Sequence, residues 1–305
     1  MTRRECFALL PGVLLAQEPV IRVEVRLVRI LATVKNTAGE PVGTLEKPDF
    51  EVYDNGVRQE PAVFERYTEQ PLSVAVLIDT SASTGIELRY EVESVERFLK
   101  ALVGEGNPQD AAALYSFNYQ VTLEEGFTRR LGRLQQALKG LKNQGGTSLY
   151  DAIFLAARSL ESRAGRHVMV LVTDGGDTTS AKDFHQALEA AQMADAVLYP
   201  VLVMPITNEP GRNIGGENAL SGLAAGTGGR VFSPSAGPSL DSAFGEILRE
   251  LRTQYLLAYY PRDLPPTKDR FHRLEVRVRR ADLRVLARSG YYEESGSGRG
   301  WPPIR

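Results

Sequence analysis

The chain has 305 residues, enough for about two domains, and its 43% apolar and 24% charged residues are those of a globular protein with a sizeable core. A formal net charge of −2 argues against nucleic acid or an anionic membrane as an obligatory partner. The only cysteine, Cys6, excludes an intrachain disulfide.

The N-terminus has the pattern of an export signal. Arg3 and Arg4 precede an apolar run over 6–16, and polar sequence follows from Gln17. Residues 1–16 are therefore read as a signal peptide, and the protein is expected to be periplasmic or extracellular. No other apolar stretch reaches the ~18–20 residues that span a bilayer.

Residues 17–70 read as a β module. Alternation over 20–34 predicts a strand, and Asn36-Thr37-Ala38-Gly39 a turn. Phe50-Glu51-Val52-Tyr53 runs into Asp54-Asn55-Gly56, a hairpin signal because Asn-Gly accepts positive φ. The return strand is expected over 57–64.

From residue 71 to 254 the period changes. Apolar runs at 73–78, 111–117, 168–173 and 197–203 suit central strands covered on both faces. Between them lie helical stripes. They include Leu88, Val92, Val95, Leu99 and Leu102; Leu131, Leu134, Leu138 and Leu141; and Leu149, Ile153, Ala156 and Leu160. Phe184, Leu188 and Ala191 make a further stripe, as do Leu240, Phe244, Leu248 and Leu251. A helix is expected over 217–225, and a short antiparallel strand over 119–123. The fold class predicted is α/β, a doubly wound, mostly parallel sheet flanked by helices. Strands return over 255–260 and 274–279, with 283–287 expected to pair with the latter, so residues 255–292 would complete the β module. The Gly- and Ser-rich stretch 293–305 reads as a flexible tail.

The chemistry concentrates at strand ends. Asp79 opens Asp79-Thr80-Ser81-Ala82-Ser83, Thr147 follows Gly145-Gly146, and Asp174 ends the run Val172-Thr173. In a doubly wound sheet the carboxyl ends of the strands form one rim, where ligand sites lie. Hydroxyl and carboxylate oxygens suit a hard divalent cation such as Mg²⁺. Thr178, Thr179 or Ser180 is expected to cap a helix from about Ala181, with Asp177 at that helix start. Asn118 and Tyr119 read as turn residues, and His167, His185 and His272, lacking zinc spacing, as surface residues.

Asp79-x-Ser81-x-Ser83, Thr147 and Asp174 match the five-residue metal-ion-dependent adhesion site of von Willebrand factor A (VWA) and integrin inserted domains, which this chain therefore resembles. None of the five positions departs from that pattern. The resemblance implies that Ser81, Ser83 and Thr147 contact Mg²⁺, with Mn²⁺ or Ca²⁺ as substitutes. It also implies that Asp79 and Asp174 act largely through bound waters, and that an Asp or Glu of a partner protein takes the last position. The blocks 49–56, 255–261 and 288–292 are similar to an exported bacterial VWFA-related family. The expected function is metal-dependent protein binding, not catalysis. Two alternatives stand beside it: a metal-dependent hydrolase with Asp79 as nucleophile, and a metal-independent envelope scaffold.

Overall fold

The computed structural model describes residues 27–66, 70–81, 88–173, 175–203, 214–234, 238–267 and 270–292. The expected signal peptide, the first residues of the 20–34 strand, Ser83, Asp174 and the expected tail lie outside the described residues.

Five strands form the central sheet: β5 (Leu72–Asp79), β6 (Ala111–Phe117), β7 (Val121–Thr128), β8 (Arg166–Thr173) and β9 (Ala196–Leu202). Their order is β7-β6-β5-β8-β9. All neighbours are parallel except the antiparallel edge pair β6–β7. The helices are α1 (Leu88–Glu105), α2 (Leu131–Lys139), α3 (Leu149–Leu160), α4 (Phe184–Met193), α5 (Ile214–Thr227) and α6 (Pro238–Thr253).

Strand alternation divides the core in two. Val74, Val76, Ile78, Val170 and Tyr199 pack with Leu99, Leu134 and Phe244 of α1, α2 and α6. Ala75, Leu77, Leu171 and Leu198 pack with Ile153, Ala191 and Leu220 of α3, α4 and α5. Each Val, Leu, Ile or Phe side chain among them, fully removed from water, contributes ~1.5–3 kcal/mol before entropy is counted.

The other strands are β1 (Val28–Lys35), β2 (Phe50–Asp54), β3 (Val57–Gln59), β4 (Val63–Arg66), β10 (Tyr255–Tyr259), β11 (Phe271–Val278), β12 (Arg284–Leu286) and β13 (Gly290–Tyr292). They form two antiparallel sheets, β12-β1-β10-β4 and β13-β11-β2-β3. Ile30, Phe50, Val52, Tyr255, Leu257 and Leu274 fill the core between them. Asn55 (φ 47°) and Gly56 (φ 80°) make the two-residue turn between β2 and β3 that the Asn-Gly signal predicts.

Several sequence expectations are corrected. The return strand after the hairpin ends at Gln59, and after Pro61 the chain crosses to the other sheet as β4. Proline has no N–H to continue the first ladder. The stretch 283–287 pairs with β1, not with β11, whose added neighbour is β13. The helix expected from Ala181 begins at Phe184 and is capped by Asp183, whose Oδ1 accepts from the Gln186 N–H at 2.9 Å. The edge strand extends to Thr128 and α5 begins already at Ile214.

His167 and His272 are buried rather than on the surface. The ring nitrogens of His167 face the carbonyls of Ala194 and Arg163, while His272 meets Asp54 at 3.0 Å.

Polar contacts join the sandwich to the α/β sheet. Lys35 of β1 pairs with the buried Glu250 of α6 at 2.5 Å, and Arg230 pairs with the same carboxylate. A single residue, Gln254, separates α6 from β10, and its amide donates to Thr33 and to the Tyr199 hydroxyl, both at 3.2 Å.

Candidate functional site

Asp79 is the last residue of β5 and is fully buried. Its Oδ1 accepts from the Ser81 N–H at 2.8 Å, and its Oδ2 accepts from the hydroxyl of Thr173, the end of β8, at 2.6 Å. The first bond folds the loop back on its own strand, and the second ties two parallel strand ends together.

Thr80 and Asn118 extend this bracing to β6. The Thr80 N–H and hydroxyl both donate to the Phe117 carbonyl, and the Asn118 amide donates to the Thr80 hydroxyl at 3.1 Å. The segment before α3 then docks on these residues. Gln144 N–H donates to the Thr80 carbonyl, Tyr119 N–H to that of Gly145, and Ser148 N–H to that of Asn118. Gly146 has φ +83°, and a Cβ there would lie 2.9 Å from the Tyr119 Cβ. Only glycine meets both conditions.

Thr147 is pinned from the opposite side. Its N–H donates to the Thr178 hydroxyl at 2.9 Å, and its carbonyl accepts from the N–H groups of Thr178 and Thr179. The Ser148 and Thr179 hydroxyls share a bond of 2.9 Å. The loop after β8 therefore uses its hydroxyls on the Thr147 segment rather than on the helix that follows it.

Asp177 and Ser180 work the same way. They accept from the Tyr150 and Asp151 N–H groups at 3.3 and 3.1 Å, at the N-terminus of α3. The Asp151 carboxylate in return accepts from the N–H groups of Ala181 and Lys182 at 3.0 and 2.9 Å. A carboxylate beside a helix N-terminus is favoured by the helix dipole. Burial, followed by the negative charges of Asp177 and Asp183, raises the Tyr150 phenol above its ordinary value.

Asp79, Ser81 and Thr147 thus stand on segments that hydrogen bonds bring to one rim, at the carboxyl ends of the central strands. Ser83 and Asp174 lie outside the described residues. The chemistry of the donor set fits a hard cation: carboxylate and hydroxyl oxygens, with no soft ligand among these residues. Thr80, Asn118, Thr173 and Thr178 were missed as supports. The sequence signal of Thr80, Asn118 and Thr173 is a small polar residue at or just after the end of a buried strand run, whereas Thr178 reads instead as a helix cap.

Residues 74–176 match the model of the von Willebrand factor type A domain. Proximal thread matrix protein 1 from the mussel byssus is similar in fold, with a TM-score of 0.50 at 16% identity over 65% of this chain and 49% of that one. BatB from Bacteroides thetaiotaomicron aligns over 60% of this chain and 100% of its own at 16% identity, with a TM-score of 0.47. The vWF domain of the pili tip protein Mfa5 from Porphyromonas gingivalis aligns at 25% identity over 36% of this chain, with a TM-score of 0.35. The chain spans only 39% of that Mfa5 structure. Among curated proteins none matches the chain.

Proposed function

The chain carries a von Willebrand factor type A domain, and from that premise we propose that it is a metal-dependent protein-binding module. The single observation that carries the reading is the convergence of Asp79, Ser81 and Thr147 on one hydrogen-bonded rim. In this reading Ser81, Ser83 and Thr147 hold Mg²⁺, for which Mn²⁺ or Ca²⁺ can substitute, and Asp79 and Asp174 act through waters. Neutral hydroxyl ligands leave the bound ion residual positive charge, which attracts an Asp or Glu carboxylate of the partner protein.

The chain's own residues support that division of labour. Asp79 is fully buried and both its oxygens accept hydrogen bonds, so it is suited to orient the loop and a water. The same burial speaks against Asp79 as the nucleophile of a hydrolase, which must reach a substrate atom. The pinned backbone of Thr147 holds its side chain in place without a cost in loop entropy at binding. Export to the periplasm or cell exterior belongs to the same proposal and rests on the basic-then-apolar N-terminus.

The test is calorimetric titration of Mn²⁺ into the full chain, followed by capture of proteins from an envelope extract in Mg²⁺ or chelator. Asp79→Asn and Thr147→Ala are expected to weaken Mn²⁺ at least about ten-fold, the loss of one good charge-assisted contact. Captured partners should be released by chelator and by a free acidic peptide. Unchanged Mn²⁺ affinity in both variants would overturn the metal site. Capture indifferent to chelator would favour the metal-independent scaffold instead.

A further inference from the structure

The edge of the α/β sheet opposite the Asp79 rim faces the sandwich, and a small cavity lies in that seam. Arg29 and Leu31 of β1, Arg166 and His167 at the start of β8, Gln192 of α4, Asp195 before β9, and Arg288 line it. It offers about 20 Å³ for water centres, room for one or two waters or one compact ion, because a single water needs ~10–15 Å³.

The wall carries an excess of positive charge, three guanidinium groups against the one carboxylate of Asp195. Arg29 donates to the Gln70 side-chain oxygen at 2.7 Å. Arg166, only 4% exposed, donates to the carbonyls of Gln70 and Leu251. These oxygens are neutral, so these hydrogen bonds bring no counter-charge to the cations. Burial pushes the Arg166 guanidinium down to about 10, against the opposing pull of the Asp110 carboxylate. Arg288 pairs with Asp195 at 2.6 Å.

Two polar atoms on the same wall are unsatisfied. Arg288 is nine-tenths buried, yet its Nε–H has no hydrogen-bond partner among the described residues. The same holds for Gln192 Oε1, whose amide orientation is fixed by Nε2 donating to the Gly226 carbonyl at 2.9 Å. The lining thus combines guanidinium donors with a carboxylate and an amide acceptor. An oxyanion carrying its own O–H matches both kinds of group. Hydrogenphosphate has such a proton at neutral pH, whereas sulfate does not.

We propose that this seam cavity is a phosphate site, taking one phosphate group on Arg29, Arg166 and Arg288 while Asp195 and Gln192 accept its O–H. The group is either inorganic phosphate or, in its singly protonated form, which is populated below pH ~6, the head of a small phosphomonoester. Because Arg29 belongs to the sandwich and Arg166 to the α/β sheet, bound phosphate bridges the two parts and stabilises their contact.

The test compares sodium phosphate, phosphoethanolamine, sodium sulfate and sodium chloride at matched ionic strength, which removes general screening as a variable. Calorimetry and thermal unfolding of the full chain are the readouts. Phosphate is expected to bind about ten-fold more tightly than sulfate and to raise Tm where chloride does not. Arg29→Gln, at a half-buried position, should weaken phosphate by about ten-fold. Asp195→Asn should reduce the preference over sulfate to within about two-fold. Arg288→Lys keeps the charge but loses the fork, and if it fails to fold, Arg29→Gln decides. Tighter binding of phosphoethanolamine would assign the phosphomonoester as the source, and tighter binding of phosphate the free ion. Equal responses to phosphate and sulfate, or a phosphate response that survives Arg29→Gln unchanged, would overturn the site.

Discussion

Among the described residues two aspartates, Asp54 and Asp79, are completely buried, and they are buried for different ends. Asp54 of β2 lies between the two sheets of the sandwich. Its Oδ2 accepts from the hydroxyls of Tyr259 and Tyr291 at 2.7 and 2.8 Å, and its Oδ1 meets His272 Nδ1 at 3.0 Å. These partners come from β10, β13 and β11, so one carboxylate fastens four strands in two sheets. His272 also stacks on Tyr291, with ring centroids 4.7 Å apart. Asp79 instead bonds its own loop and the end of a neighbouring strand, and it sits beside segments rich in hydroxyls. The first arrangement is a strut whose removal strands buried donors. The second is a scaffold for a loop, whose partners can rearrange. A fully buried charge is therefore not by itself the mark of a binding site; what surrounds it decides.

The contrast is broken most directly by deletion of the strut. Asp54→Ala leaves two phenols and an imidazole without their acceptor, and is expected to cost ~3–5 kcal/mol in urea unfolding. A loss below about 1 kcal/mol would mean that the tyrosines find other partners.

Tyr259→Phe removes one bond to the carboxylate and should cost ~1.5–3 kcal/mol. It also has a pH signature. Burial, then the bond to Asp54, raises the Tyr259 phenol above its ordinary value, as happens to Tyr291. The folded state thus holds its protons above pH ~10, where the unfolded chain releases them. This stability is complete below pH ~10 and is lost as pH rises further. Urea midpoints at pH 9 and 11 should fall further for wild type than for Tyr259→Phe.

The smallest stability effect is expected at the rim. In Asp79→Asn the amide oxygen still accepts from Ser81, and the Thr173 hydroxyl can turn to accept from the amide N–H. The cost should be about 1 kcal/mol or less, so the variant separates folding from metal binding. A loss as large as that of Asp54→Ala would make Asp79 a strut too.

What could be read from the sequence follows the range of the interactions. Runs such as Val74-Ala75-Val76-Leu77-Ile78 name central strands because both faces are covered, and the helical stripes follow from their own period. The end of such a run then locates Asp79, and the start of a helical stripe places Thr147. The Asp54 cluster was invisible because its partners lie 205 to 237 residues away, and a lone histidine or tyrosine carries no local signal of that contact. The helix expected from Ala181 starts only at Phe184 for a related reason. Thr178, Thr179 and Ser180 have the right chemistry for capping, but their hydroxyls serve Thr147, Ser148 and the N-terminus of α3. The misassigned partner of 283–287 reflects the choice that every edge of a sheet offers, which neither alternation nor length resolves.

The register of β10 has a consequence for how the molecule is born. This strand lies between β1 and β4, pairing Leu257 with Ile30 on one side and with Phe64 on the other, while the whole α/β sheet occupies the sequence between. During synthesis the ribosome delivers β1 and β4 long before the strand that separates them. Contacts so distant in the chain form slowly. The α/β sheet draws its strands from one continuous stretch and is complete first, bringing the two ends of that stretch together as it closes. Until β10 emerges, the early strands present open edges of the kind that chaperones cover. The sandwich is begun first and finished last.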